Sequence, residues 1–140
     1  GSVMITLIAE HRLASHTEDD VVIVRRRARQ IAQTRKLDPF ATAAITTAVS
    51  ELTRNVLVHG RGGEALLEEI SDGSRYGVRA TFRDRGPGIA DLDRALAGGY
   101  STTKTMGLGL SGSKRLVDRF DIQTEVGKGT TVRVEKWQAM

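Results

Sequence analysis

The chain reads ITTAVSELTRN from Ile45 to Asn55, and this stretch decides the fold that we predict. When it is projected at the pitch of an α-helix, Glu51 and Asn55 fall one turn apart on a stripe of small residues. The adjoining stripe is bulky and apolar, and it consists of Ile45, Val49, Leu52 and Val56. A helix with such a stripe buries that side, so we predict a central helix packed against a second layer.

Further helices and several strands surround this central helix. Asp38 and Pro39 are typical of the cap and first turn of a helix, and Asp19 or Asp20 would cap an earlier one. The predicted helices cover about residues 20–36, 40–58, 91–97 and 108–120. Runs of β-forming residues predict strands at about residues 3–8, 65–71, 76–82, 122–126 and 131–136. Together these elements predict an α+β sandwich.

A hairpin occupies the middle of the chain. Asp72-Gly73 is a typical hairpin turn, and from Tyr76 to Phe82 apolar residues alternate with polar residues or glycine. Such alternation predicts a half-buried antiparallel hairpin with one polar face.

The bulk properties are those of an ordinary folded protein. At 140 residues, 39% apolar and 27% charged, we expect one domain over residues 3–140, with Gly1 and Ser2 as an expression scar. The chain has no cysteine, which excludes disulfides, thiolate zinc sites and cysteine nucleophiles. Because no apolar run could span a membrane and no export signal is present, we expect a cytoplasmic protein without a membrane partner.

The net charge of +4 raises the question of nucleic-acid binding. The densest basic run consists of Arg25, Arg26, Arg27 and Arg29. On a helix these side chains point in different directions, and no aromatic residue lies among them as a stacking platform. A solvated helix face or a protein-docking surface is therefore favoured over a nucleic-acid site.

Glu51 and Asn55 allow two interpretations. Both side chains could simply reach water at the edge of the apolar face. Alternatively they form a metal–nucleotide site, in which Asn55 offers a neutral oxygen to Mg²⁺ and Glu51 accepts a proton from a nucleophile or orients it.

Asp84 begins a long glycine-rich segment without a firm period, which extends to Leu110. Such a segment inside a small domain is usually functional. Asp84 follows a predicted strand and precedes Gly86 and Gly88, a pattern that is also typical of a plain turn. In the functional interpretation the carboxylate accepts the adenine amine and the glycines let the base lie against the backbone.

Residues 107–112 match the dinucleotide pattern G-x-G-x-x-G, but they follow a polar loop rather than a buried strand. A Walker A motif is also excluded, because Lys114 is not adjacent to Gly112. Glycine-rich backbone that leads into a helix can still donate N–H groups to phosphates, with added charge from Lys104. The glycines around Lys128 indicate an ordinary hairpin, and His11, His16 and His59 lack metal-ligand spacing.

These signals occur in one order: E-x-x-x-N on a helix, D-x-G-x-G after a strand, G-x-G at a helix start and G-x-G-T in a late hairpin. The series resembles the N, G1, G2 and G3 boxes of the GHKL ATPases, and it is closer still to the RsbT switch kinases. The segments that carry the closer resemblance are residues 45–55, Gly99-Tyr100-Ser101-Thr102, Gly109-Leu110, residues 114–120 and Lys136-Trp137. The resemblance implies a Bergerat-type two-layer sandwich, with helices on one face of a mixed, mainly antiparallel sheet.

The resemblance also implies the roles of individual residues. Glu51 would be the catalytic base, Asn55 would hold Mg²⁺, and Arg25 would face a partner protein. Asp84 would receive adenine, and Thr130 would support the base from the opposite side. Lid and pocket residues that would complete the ATP site are Gly86, Gly88, Ile89, Lys104, Gly107, Leu108, Gly109 and Leu110. Lys104-Thr105 replaces the usual Gly-Gly of the family, so we expect a stiffer and more positive lid.

By the same resemblance, the chain would transfer the γ-phosphoryl group of ATP to Ser or Thr of a STAS-domain antagonist. It would then be released to activate a phosphatase. The alternatives are an anti-sigma factor of the RsbW type that sequesters a sigma factor, and an ATP-binding domain that docks without catalysis. A nucleic-acid module ranks last.

Overall fold

One antiparallel sheet of five strands forms the first layer, in the spatial order β1-β2-β3-β5-β4. The computed structural model describes residues 4–97 and 104–139, and over residues 104–109 only the course of the backbone. The strands are β1 (Thr6–Ser15), β2 (Gly63–Ser71), β3 (Tyr76–Asp84), β4 (Arg119–Glu125) and β5 (Gly129–Trp137). All pairings in this sheet are antiparallel, in agreement with the mainly antiparallel sheet that the resemblance implied.

The second layer consists of helices, and two of them begin at strong caps. The helices are α1 (Glu18–Thr34), α2 (Pro39–Val58), α3 (Leu92–Ala97) and α4 (Lys104–Leu116). Thr17 and Asp20 form a capping box on α1, so the predicted cap at Asp19 or Asp20 is wrong. Asp38 caps α2 as predicted, accepting the Ala41 N–H at 2.8 Å, with Pro39 in the first turn.

The core lies between one face of the sheet and the helices. The predicted apolar stripe of α2 is confirmed, because its four bulky residues are at most 3% exposed. The same core cluster also contains the buried side chains of Val24, Ala28, Ile31, Leu67, Val78, Phe82, Val132 and Val134. Burial of this stripe, at about 25 cal/mol per Å² of apolar area, holds α2 in place and so orients Glu51 and Asn55 relative to the sheet.

The opposite face of the sheet carries charge, as the alternation in the hairpin predicted. Glu68, Arg79 and Glu135 are aligned across β2, β3 and β5. Arg79 Nε donates to Glu135 Oε2 at 2.9 Å. This pairing stabilises two largely buried charged groups on the face of the sheet opposite the helices.

The first strand is longer than predicted and extends through polar residues. His11 Nε2 lies 2.8 Å from Glu69 Oε2, and Arg27 on α1 approaches His11 Nδ1 at 3.1 Å. These bonds satisfy polar groups inside the sandwich, so β1 continues to Ser15 where apolar patterning alone predicted an end at Ile8. His11 thus has a structural role in the sandwich.

The helix α4 begins and ends earlier than predicted. The prediction that Lys104 lies in a loop is wrong, because α4 starts at this residue and continues through Gly107 and Gly109. At the other end, Asp118 N–H donates to the Glu135 carbonyl at 2.9 Å, and the Asp118 carboxylate accepts the Trp137 N–H at 2.8 Å. These bonds tie the chain to β5, so residues 119 and 120 join β4 instead of the helix.

None of the helices within the described ranges is both long and apolar enough to cross a membrane.

Candidate active site

A pocket opens between α2, the ends of β3 and β5, and α4. It is lined by Leu52, Asn55, Val56, His59, Gly60, Phe82, Asp84, Gly88, Ile89, Leu110, Thr130 and Val132. Six of these were predicted site residues, namely Asn55, Asp84, Gly88, Ile89, Leu110 and Thr130. Residues that lie up to 75 positions apart in sequence therefore meet at one place.

Asp84 ends β3 directly opposite Thr130 on β5. Its carboxylate accepts the Gly86 N–H at 2.9 Å, and the backbone N–H of Thr130 is near enough to favour the charged form. Burial raises the pKa of Asp84 above its ordinary value, and the two backbone donors act in the opposite direction. The result is a partly buried acceptor whose orientation is set by the backbone on either side.

The glycines after Asp84 are required by contacts with the protein's own backbone. A Cβ at Gly86 would lie 2.8 Å from the Cα of Gly60, and one at Gly88 would overlap the carbonyl of Glu125. Gly88 also has a φ of +76°, which L side chains rarely adopt. These glycines therefore let the loop pack between the end of α2 and the β4–β5 hairpin.

Thr130 belongs to a small network of hydroxyl groups. Its Oγ1 lies 2.9 Å from Thr124 Oγ1 on β4. The same Thr124 oxygen accepts the Ile89 N–H at 2.9 Å and lies 3.3 Å from the carbonyl oxygen of Gly129. The loop after Asp84 is thereby joined to the hairpin that carries Thr130.

Glu51 and Asn55 take different positions on α2. Asn55 lines the pocket, and its Nδ2 is buried without a hydrogen-bond partner among the described residues. Glu51 lies one turn earlier, does not line the pocket, and exposes 42% of its side chain. Arg54 Nη1 lies 4.0 Å from Glu51, and Arg54 Nη2 lies 4.0 Å from Glu18 on α1.

The donors in the pocket fit Mg²⁺ held mainly by a substrate. Across residues 4–97 and 104–139, no three His, Asp or Glu side chains group as a metal site. Mg²⁺ commonly takes one or two protein ligands together with waters and phosphate oxygens. The side-chain amide of Asn55 suits that pattern, because a half-turn of the amide would bring its oxygen, a neutral ligand, to the place of the unpartnered Nδ2.

Of the predicted lid residues, only Leu110 has a described side chain. It is 2% exposed and lines the pocket from α4. For Lys104, Gly107, Leu108 and Gly109 the structure describes only the backbone of the first turns of α4, and Gly99 to Thr102 lie outside the described residues.

Arg25 lies on α1 with an exposed side chain, away from the pocket. Its neighbour Arg27 differs, because it is half-buried and contacts His11. The four arginines of α1 are therefore not equivalent.

Residues at or beside the pocket that were not predicted from the sequence include His59, Gly60 and Thr124. His59 lines the pocket one turn after Asn55, and burial lowers its pKa, which favours the neutral imidazole. The i+4 spacing from Asn55 was the signal that could have identified it. Gly60 and Thr124 have no such local signal, because their contacts arise from chain segments distant in sequence.

Comparison with known proteins agrees with this geometry. Residues 14–136 match the family model for the histidine kinase-like ATPase domain. The serine/threonine-protein kinase RsbT of Bacillus subtilis is 36% identical over 121 residues, which are 86% of this chain and 91% of that protein. An anti-sigma F factor of Geobacillus thermodenitrificans is 32% identical over 111 residues, 72% of this chain and 74% of that protein.

Solved structures share the fold. The RsbU and RsbW domains of Rv1364c from Mycobacterium tuberculosis superpose with a TM-score of 0.63 at 23% identity, covering 92% of this chain and 32% of that one. The SiaB–SiaC complex from Pseudomonas aeruginosa gives a TM-score of 0.53 at 11% identity, covering 94% of this chain and 90% of that one.

Proposed function

This chain belongs to the RsbT-type serine/threonine-protein kinases with a histidine kinase-like ATPase domain, and we propose that its substrate is a STAS-domain antagonist. The reaction moves the γ-phosphoryl group of ATP to a Ser or Thr hydroxyl of that antagonist. The observation that carries the proposal is the convergence of Asn55, Asp84 and Thr130 on one pocket, with Glu51 one helical turn from Asn55.

The base of ATP occupies the inner part of the pocket in this proposal. Asp84 accepts the adenine amine, and the apolar side chains of Phe82, Ile89 and Leu110 surround the ring. Thr130 stands beside Asp84 on the neighbouring strand and completes the polar edge. Few polar groups in an apolar pocket are the usual means of orienting a ligand.

The phosphates extend toward α2 and the start of α4. Asn55 would hold Mg²⁺ there, and the metal when bound neutralises charge on the phosphate oxygens. The first turn of a helix leaves backbone N–H groups without an intrahelical partner, and such groups favour an anion. Lys104 stands in the first turn of α4. Gly107, Leu108 and Gly109 would close over the phosphates in the same segment.

Glu51 acts as the base. The hydroxyl oxygen of the substrate bonds to the γ-phosphorus, the bond to the β–γ bridging oxygen breaks, ADP leaves, and the hydroxyl proton passes to Glu51. The exposed position of Glu51 supports this role, because a protein substrate must bring its hydroxyl to the base from outside.

The partner switch follows from the transfer. A phosphate placed on the antagonist adds charge at the interface and weakens the complex, which releases the kinase to activate a phosphatase. We place the docking surface on α1 around Arg25, which is exposed and has no acidic partner within the described residues.

An anti-sigma factor is the second candidate, because several anti-sigma F factors match this chain at about 30% identity, such as 32% for that of Geobacillus thermodenitrificans. Such a protein would keep the ATP site but sequester a sigma factor. The two functions differ in the protein that is captured, not in the pocket.

The test is phosphotransfer from γ-labelled ATP with Mg²⁺ to purified STAS-domain proteins from the same genome. We expect label on one Ser or Thr of one of them, and no label with Glu51→Gln. A chain that binds ATP, labels no STAS-domain protein and captures a sigma factor would establish the anti-sigma function instead.

A further inference from the structure

We propose that Thr124 is a positioning residue that orients the hydroxyl proton of Thr130 and thereby makes the pocket select adenine over guanine. The proposal deepens the proposed function, since it rests on the base of the nucleotide lying against Asp84 and Thr130. Thr124 itself does not line the pocket, so its effect must pass through Thr130.

The contacts of Thr124 place three groups around one hydroxyl oxygen. Thr124 lies opposite Thr130 in the β4–β5 register, and the two side-chain oxygens are 2.9 Å apart. The Ile89 N–H reaches Thr124 Oγ1 from the loop after Asp84 at 2.9 Å. The carbonyl oxygen of Gly129 lies 3.3 Å away.

The direction of these hydrogen bonds follows from counting protons. A threonine hydroxyl has one proton and two lone pairs. The Ile89 N–H can only donate, so it uses one lone pair of Thr124, and the Gly129 carbonyl can only accept, so it takes the Thr124 proton. The second lone pair of Thr124 is then left to accept the proton of Thr130.

This arrangement uses all three contacts, whereas a Thr124 hydroxyl that donates to Thr130 would leave its contact with the Gly129 carbonyl unused. In the favoured arrangement the Thr130 hydroxyl donates its proton to Thr124 Oγ1. Only the lone pairs of Thr130 then face the pocket, beside the carboxylate of Asp84.

Two acceptors side by side distinguish the two purine bases. Adenine presents an amine, which donates two protons, at the position where guanine presents a carbonyl oxygen. Guanine would therefore place an acceptor against acceptors and leave buried polar groups unpaired, which is strongly unfavourable. Without Thr124, the Thr130 hydroxyl could rotate and donate to the guanine oxygen.

The test compares ADP and GDP affinity by calorimetry, without a partner protein. Wild type should bind ADP more tightly than GDP. Thr124→Val keeps the side-chain shape but lacks the hydroxyl, so its ADP-to-GDP affinity ratio should be about tenfold lower than that of wild type, which is the effect of one hydrogen bond. Thr124→Ser keeps the hydroxyl and should retain wild-type discrimination. Melting temperatures show whether each variant is folded.

A double-mutant cycle separates positioning from a merely structural role. Thr130→Val should also lower the ADP-to-GDP ratio, and adding Thr124→Val to it should lower the ratio no further, because Thr124 acts through Thr130. An unchanged ratio in Thr124→Val, or an equal loss of both nucleotides, would overturn the inference. Should Thr124→Val not fold, a wild-type ratio in Thr130→Val would overturn it. Wild type that binds neither nucleotide would contradict the proposed ATP site itself.

Discussion

Gly60 faces the carboxylate of Asp84 so closely that a Cβ at Gly60 would overlap the Asp84 side chain. Gly60 follows α2, and its N–H donates to the carbonyl of Asn55 at 3.1 Å. The same glycine therefore contacts the end of the helix that carries Glu51 and Asn55 and the end of the strand that carries Asp84.

Gly60→Ala should displace Asp84 and weaken ADP binding. Because the added methyl group would overlap side-chain atoms of Asp84, the substitution should cost about 1–3 kcal/mol of folding free energy, measured by denaturant unfolding. Gly112→Ala is the matched control, since Gly112 lies within α4 with nothing within 4 Å of the added Cβ. That change should be neutral or stabilising, by up to about 1 kcal/mol. Normal ADP affinity in Gly60→Ala would show that the contact does not position Asp84.

Glu51→Gln should abolish phosphotransfer and leave nucleotide binding nearly unchanged. A base acts in the chemical step, so its loss should lower the rate by roughly 10²-fold to 10⁴-fold. Glu18→Gln is a suitable control, because Glu18 contacts the same Arg54 but lies on α1. If Glu51→Gln phosphorylates its substrate at the wild-type rate, Glu51 is not the base.

Asp84→Asn should weaken ADP binding about tenfold or more, because an amide can present a donor to the adenine amine. The same change should stabilise the protein without nucleotide at neutral pH. Burial raises the pKa of Asp84, so its favourable contribution is present below the unfolded-state pKa and is lost as pH rises through the folded-state pKa.

The pH dependence separates the two effects of this substitution. The stability advantage of Asp84→Asn should disappear at acid pH, where the wild-type carboxyl is also neutral. ADP affinity of wild type should fall as pH falls through the raised pKa, while that of the variant should change less. Equal ADP affinity of the two proteins across this range would leave Asp84 as a turn residue.

Arg25→Ala should weaken binding of the STAS-domain antagonist without altering ADP affinity. A desolvated arginine contact costs about 2 kcal/mol or more when truncated, whereas a rim charge costs little and fades with salt. Arg26→Ala is a better control than Arg27→Ala. Arg26 is exposed on another side of α1, whereas Arg27 is half-buried and contacts His11. If Arg25→Ala and Arg26→Ala lower the affinity for the antagonist equally, and both effects fade with salt, the attraction is diffuse and electrostatic.

Part of the site could be predicted because its signals are local. The spacing of Glu51 and Asn55 places both on one side of α2 whatever the rest of the chain does. Asp84 could be recognised at a strand end because alternation stops there and glycines follow. The ends of β1 and α4 could not be predicted from local signals, because they depend on hydrogen bonds between distant segments, such as His11–Glu69 and Asp118–Trp137.

The sequence by itself determined the type of each element and the chemistry available, because helical spacing, strand alternation and turn residues act over a few positions. The tertiary structure alone decided which groups share the pocket. Pairing of β3 with β5 brings Asp84 to Thr130, and pairing of β4 with β5 brings Thr124 to the same hydroxyl. Packing of α2 against the sheet adds Asn55, His59 and Gly60. Such contacts depend on strand register and on close approach of backbones, which no local pattern encodes.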